Sequence, residues 1–149
     1  MRAVVQRVRD AAVSVGGRTV GSITSGLLVY LGIGRNDTDR DLRTITEKIA
    51  NLRIFPDENG KMNLSVSDAR GEIMVISQFT LFGDAREGRR PSYTEAAASE
   101  QARAMYQQAL QALIAMGFRV AAGEFQASME VAYTNVGPVT ILLDSEKRF

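Results

Sequence analysis

Hydrophobic and polar positions divide the chain into strand-sized apolar runs, set between turn residues, and two longer stretches with helical spacing. Met1 to Arg9 reads as a strand, and Ala12 to Val15, Gly16-Gly17 and Thr19 to Ile23 read as a hairpin. Leu27 to Ile33, LLVYLGI, is apolar almost throughout. Bounded by Gly26 and Gly34, it predicts a strand buried on both faces. The character then changes: Thr38 and Asp41 resemble a capping box with the shorter acid. They open a helix whose apolar face is Leu42, Ile45, Ile49 and Leu52.

Leu52 to Phe55 is short and β-like, Pro56 to Gly60 is a turn, and Lys61 to Val66 returns before a second turn at Asp68 to Gly71. Glu72 to Thr80, EIMVISQFT, predicts a strand that delivers Ser77, Gln78, Phe79 and Thr80 at its C-terminal end. Leu81 to Tyr93 is a loop, since Pro91 opposes helix, and it carries Arg86, Arg89 and Arg90. Ala96 to Met116 predicts a helix through Tyr106, Leu110 and Leu113, stopped by Gly117. Phe118 to Ala121, Ser128 to Thr134 and Val139 to Leu143 are three closing strands. NVGPVT, Asn135 to Thr140, is the connection between the last two. Strands outnumber helices and the two helices stand apart, which predicts a single α+β domain over residues 1–149, with helices covering one face of mostly antiparallel or mixed sheet.

Composition narrows the chemistry. The 149 residues include no cysteine and no histidine, which removes disulfides, thiolate nucleophiles, imidazole bases and the usual zinc ligand sets. Arg2, Arg7 and Arg9 interrupt the start, so neither a signal peptide nor a membrane anchor fits, and a cytoplasmic protein is expected. A net charge of +1 does not announce a nucleic-acid binder, so any phosphate contact has to come from a local cluster. Asp37, Asp39 and Asp41 alternate as calcium ligands do, but the glycine and the closing glutamate of such a loop are missing, and a solvated helix start is expected. The glycine pairs lack a dinucleotide fingerprint. Neither metal nor cofactor is expected.

Ser77 and Thr80 are a hydroxyl pair at a strand end beside the Gln78 amide, yet a hydroxyl nucleophile needs a base that this chain does not mark. The ordinary role of such hydroxyls is to satisfy backbone groups at a sheet edge. A third role is better physics for a labile bond: oriented backbone N–H groups aimed at a developing oxyanion. In NVGPVT, glycine lets the backbone approach a ligand closely and proline locks the next torsion, so Gly137-Pro138 can present carbonyls in a fixed direction. A plain turn is the ordinary alternative, because only roughly 5 to 6 in 100 X-Pro bonds are cis. Three arginines in the Arg86 to Arg90 loop can meet phosphate or simply face water.

With these pieces placed, the chain resembles the D-aminoacyl-tRNA deacylase family over essentially its whole length. The resemblance runs through AVVQRV at Ala3 to Val8, GLLVYLGI at Gly26 to Ile33, NLRIFPDENGKMNLSV at Asn51 to Val66, SQFTL at Ser77 to Leu81, GRRPS at Gly88 to Ser92 and NVGPVT. It implies a homodimer of three-layer β/β/α subunits that clears D-amino acids from tRNA. Ser77 and Gln78 would form the pocket, Met129 would line it, and backbone N–H groups around Phe79 and Thr80 would hold the oxyanion. The terminal adenosine's 2'-hydroxyl would help to activate water. The Thr80 side chain as nucleophile is the competing view within the family. Asn135 belongs to the turn, and Gly137 and Pro138, in cis and inserted from the partner subunit, would be the chiral selector. Gln6 and Arg7 would have a supporting role beside the site, and Arg86, Arg89 and Arg90 are candidates for tRNA backbone contact.

A rigid carbonyl wall rejects an L residue by overlap with its Cβ, which also implies that glycyl-tRNA is not excluded. Val136 and Ser128 depart from the family, where acids are common at both positions. Two rivals come from other classes: a non-catalytic module that holds a tRNA end, and a serine or threonine hydrolase of small esters.

Overall fold

Alternation along the apolar run around Val29 sets the architecture. In a computed structural model describing residues 1–149, Leu27, Val29 and Leu31 join one core cluster while Leu28 joins another, as successive side chains on a strand must. The run is buried on both faces as predicted. It forms the second half of β2 (Arg18–Gly32), which lies at the centre of a five-stranded mixed sheet ordered β6-β5-β2-β1-β7. β1 spans Arg2–Val15, β5 Glu72–Ser77, β6 Val120–Ala122 and β7 Glu130–Asp144. A separate two-stranded ribbon pairs β3 (Phe55–Pro56) with β4 (Met62–Leu64).

The pairs β2/β5 and β5/β6 are parallel, whereas β1 is antiparallel to both β2 and β7. Each parallel pair needs a crossover, and the two crossovers hold the two helices, α1 (Asp39–Asn51) and α2 (Ser99–Ala115). Both helices bury their apolar residues in the same cluster as Val5, Leu27, Val29, Ile73 and Val75, so they cover the same face of the sheet. This is the α+β arrangement expected. Thr38 is the N-cap of α1, and its backbone N–H donates to the Asp41 carboxylate at 2.9 Å, as the capping pattern predicts. Gly117, at φ +94°, follows the C-cap of α2. No helix is long and apolar enough to cross a membrane.

The predicted strand at Met1 to Arg9 and the hairpin after it are in fact one long hairpin, β1 with β2, and both strands change direction midway. Asp10 takes φ +51° in β1. On β2, Gly26, which faces Val8, takes φ +151°, where an added Cβ would overlap the Glu72 carbonyl oxygen. Beyond these bends the hairpin folds back over the sheet. Ala11, Val13 and Ile23 pack on Leu28, Met74 and Ile76, and a Cβ on Gly21 would lie 2.7 Å from the Ala122 oxygen at the far edge. The folded-over hairpin, the sheet and the helices make three layers.

Two further expectations are corrected. The strand predicted to run to Thr80 ends at Ser77, where the chain enters a 3-10 turn, Phe79–Phe82. NVGPVT is not a connection between two strands but lies inside β7. Asp37, expected to be solvated, has a side chain only 6% exposed; it accepts from the Met1 α-amino group at 2.5 Å and from the Gly34 N–H at 2.6 Å.

Candidate active site

The SQFT segment is positioned from the middle of the sheet outward. Ser77 is the last residue of β5 and lies opposite Leu31 of β2, whose carbonyl accepts the Gln78 N–H at 2.8 Å. Parallel pairing stops there, and the chain turns sharply because Gly32 leaves room for it. A Cβ on Gly32 would stand 2.9 Å from the Gln78 oxygen and 3.1 Å from Leu81 Cβ. Phe79 and Thr80 open the 3-10 turn, so their backbone N–H groups have no partner within it. Arg2, read in the sequence only as a charge that disfavours a signal peptide, closes the turn from the other end. Its guanidinium donates to the Leu81 carbonyl at 2.9 Å, pairs with Asp144 at 3.2 Å and lies 4.6 Å over the Phe82 ring.

Ser77, Gln78, Phe79 and Met129 line one cavity of about 580 Å³, together with Ala102 of α2 and Phe125. None of the residues lining this cavity is charged. Thr80 lies beside the cavity, exposed, with its hydroxyl accepting from the Gln78 amide. Met129 reaches the cavity over Gly123, where a Cβ would collide with its sulfur. Phe125 and Gln126 escaped sequence reading because they lie in a turn with no periodicity. No signal in the sequence marks them; in the fold Gln126, at φ +67°, brings the turn back to the cavity wall. Below the cavity, the buried Tyr106 hydroxyl donates to the Val75 carbonyl at 2.8 Å. Burial pushes this phenol up to about 12, with the Gly123 backbone pulling weakly the other way.

The Gly-Pro pair occupies a different place. Along β1 and β7, Gln6 faces Thr140 and Val8 faces Asn135, so two steps on β1 answer five on β7 and three residues are left over. The surplus is the bulge that carries Gly137 and Pro138, joined by a cis peptide bond. Arg7 holds it. Its Nε donates to the Val136 carbonyl at 3.2 Å and its Nη1 to the Ile54 carbonyl at 2.7 Å, which ties the bulge to the end of α1's connection. A Cβ on Gly137 would lie 2.9 Å from Arg7 Nη2. Inside the bulge the Asn135 Oδ1 accepts the Val139 N–H at 3.3 Å. The Asn135 and Gln6 amides both donate to Thr140 Oγ1, at 3.2 and 3.1 Å. Gln6 Oε1 is buried with no partner. Within one chain neither Asn135, Gly137 nor Pro138 lines the cavity.

The three loop arginines separate as well. Arg86 is clamped on Asp84 by hydrogen bonds of 2.5 to 3.1 Å, and this pairing holds the Asp84 carboxyl down at about 2. Arg89 and Arg90 engage no carboxylate.

Comparison with known proteins places the sequence in one family. The sequence model of the D-Tyr-tRNA(Tyr) deacylase family covers residues 4–144. The chain belongs to that family. It is 54% identical over 149 residues, the full length of both chains, to D-aminoacyl-tRNA deacylases of Thermosipho africanus and Desulfitobacterium hafniense. Among solved structures it superposes on a c-Myc DNA unwinding element binding protein with a TM-score of 0.91 and 42% identity, covering 97% of this chain and 98% of the other. A probable eukaryotic D-amino acid tRNA deacylase, at 18% identity, TM-score 0.80 and coverage of 95% and 97%, shares the fold.

Proposed function

We propose that the chain is a D-aminoacyl-tRNA deacylase that hydrolyses the ester between a D-amino acid and the terminal adenosine of tRNA. The observation that carries this reading is a cavity lined without charge next to unpaired backbone donors, in a member of a deacylase family. An uncharged wall suits an ester that is intrinsically labile, since the protein then needs to orient and stabilise rather than supply a strong base. Water attacks the ester carbonyl carbon, helped by the adjacent 2'-hydroxyl of the adenosine. The oxyanion that forms is held by the N–H groups of Phe79 and Thr80. Collapse breaks the bond to the ribose oxygen, which leaves with a proton, and free amino acid and tRNA are released. Ser77, Gln78 and Met129 hold the substrate.

The protein acts as a homodimer, with Gly137 and Pro138 of one subunit guarding the cavity of the other. Their carbonyls form the wall that an L residue's Cβ would strike, while glycine, having no Cβ, passes. Arg7, Gln6 and Asn135 set the direction of that wall. Arg89 and Arg90 contact the tRNA backbone and Arg86 braces their loop. The reaction belongs where tRNA is charged, in the cytoplasm. Release of amino acid from D-Tyr-tRNA and L-Tyr-tRNA tests the reading. Turnover of the D ester alone is expected; no turnover leaves a tRNA-end-binding module, and equal turnover sinks the chiral wall.

A further inference from the structure

At the mouth of the cavity two large aromatic side chains meet in the open. Phe79 is 57% exposed and Tyr93 39% exposed, with ring centroids 5.1 Å apart and planes at 66°. Phe79 also lines the cavity. Tyr93 is held from behind. The loop that precedes it is closed by reciprocal backbone hydrogen bonds between Asp84 and Ser92, both 2.8 Å, and the Tyr93 carbonyl accepts the Ala96 N–H at 3.0 Å. Gly83 makes the seat, since a Cβ there would stand 3.0 Å from Tyr93 Cε1. The same closed loop carries Arg89 and Arg90, which pair with no carboxylate, while Arg86 is spent on Asp84.

Water-exposed aromatic faces at the entrance to a substrate cavity, with unneutralised arginines on the adjoining loop, fit unstacked nucleobases and their phosphates better than they fit a protein core. We propose that Phe79 and Tyr93 are a stacking platform for the unpaired nucleotides preceding the esterified adenosine, with Arg89 and Arg90 on their phosphates. The proposal rests on the deacylase reading and adds to it a reason why a whole tRNA would be preferred over an isolated aminoacyl ester. The terminal adenosine enters the cavity, and the nucleotides behind it are held outside, on the rings.

The test compares kcat/KM on D-Tyr-tRNA with kcat/KM on the D-tyrosyl ester of adenosine, which has no preceding nucleotide. Tyr93→Ala is expected to lower the ratio of the two about tenfold, mainly through KM on tRNA, and Tyr93→Trp to restore it. Arg89→Gln and Arg90→Gln should each reduce the steepness of log affinity for tRNA against log salt by about 0.7. An unchanged ratio overturns the platform. So does a loss that coincides with a change of mass in sedimentation, because the rings would then be covered by a second copy of the chain. Wild-type turnover of the adenosine ester reports the deacylase reading separately. If it is absent, fluorescence anisotropy with uncharged tRNA still decides the platform: equal affinities for wild type and Tyr93→Ala overturn it, and a tenfold weaker variant supports it.

Discussion

The SQFT strand end and the Gly-Pro bulge are built on opposite principles. The first grows from the most buried strands of the sheet, β2 and β5, and its shape follows from packing: Gly32 yields space, Arg2 closes the turn, and Ala102 and Phe125 complete the wall. The second sits on β7, an edge strand, and is shaped by three surplus residues and by the hydrogen bonds of Arg7, Asn135 and Gln6. Within one chain the first forms a cavity and the second a bulge that does not reach it. On the proposed reading the difference separates positioning from chemistry: changes to the bulge should alter how the substrate is held and which enantiomer is accepted, and changes to the strand end how fast the bond breaks in a substrate that is held.

The largest effect should come from Gly137→Ala. Its Cβ would lie 2.8 Å from Val139 Cγ2 and 2.9 Å from Arg7 Nη2, at a φ of +122° that side chains rarely adopt, so the wall must move. A displacement near 1 Å predicts about a 100-fold fall in single-turnover hydrolysis of D-Tyr-tRNA. An unchanged rate would detach the bulge from function.

Arg7→Lys comes next. Lysine cannot reproduce the two-pronged grip on the Val136 and Ile54 carbonyls, and about 2 kcal/mol of stability should be lost in urea titration. Discrimination between D-Tyr-tRNA and L-Tyr-tRNA should fall with it. Full discrimination in a destabilised variant would show that Arg7 only supports the fold.

Tyr106→Phe should cost about 1 kcal/mol through loss of the bond to the Val75 carbonyl. It also has a pH signature. The Tyr106 phenol is held at about 12 in the folded chain, above its ordinary value of 10. Its stabilising contribution is therefore intact below pH 10 and is lost as pH rises from 10 towards 12. The variant should show a flatter alkaline limb in urea midpoints across that window.

Thr80→Ala should do least. If the backbone donors carry the chemistry, removing a hydroxyl that accepts from Gln78 slows hydrolysis by about threefold or less. A loss of three or more orders of magnitude with fold and tRNA affinity intact would return the hydroxyl to the role of nucleophile.

Much of this was legible in the chain, because several determinants are local. LLVYLGI announced a strand buried on both faces, Thr38 with Asp41 announced the start of α1, and Gly117 announced the end of α2. The α+β class followed from their order. What sequence reading missed depends on distant partners. Asp10 falls in the gap between a predicted strand and a predicted hairpin, and Gly26 read only as the boundary of an apolar run, yet together they fold the β1/β2 hairpin over the sheet, since Gly26 must pass Glu72. Strand propensity carried EIMVISQFT to Thr80, but pairing with β2 ends at Ser77. NVGPVT read as a turn because Gly-Pro usually punctuates, while β1 keeps hydrogen-bonding on both sides of it. Asp37 looked solvated because its partner, the Met1 amine, lies 36 residues away in sequence. Of the three loop arginines, sequence alone could not tell that Arg86 was already taken by Asp84.

Complementation between two variants tests the division of labour most directly. One chain carries Gly137→Ala, which spoils the guard; the other carries Ala127→Trp, which fills the cavity. If each site takes its guard from the partner subunit, a mixed dimer has one site with both defects and one with neither. An equimolar mixture should then recover about a quarter of wild-type activity on D-Tyr-tRNA, because half the dimers are mixed and each has one intact site. A mixture no more active than the two variants alone would place guard and cavity in the same chain and contradict the account.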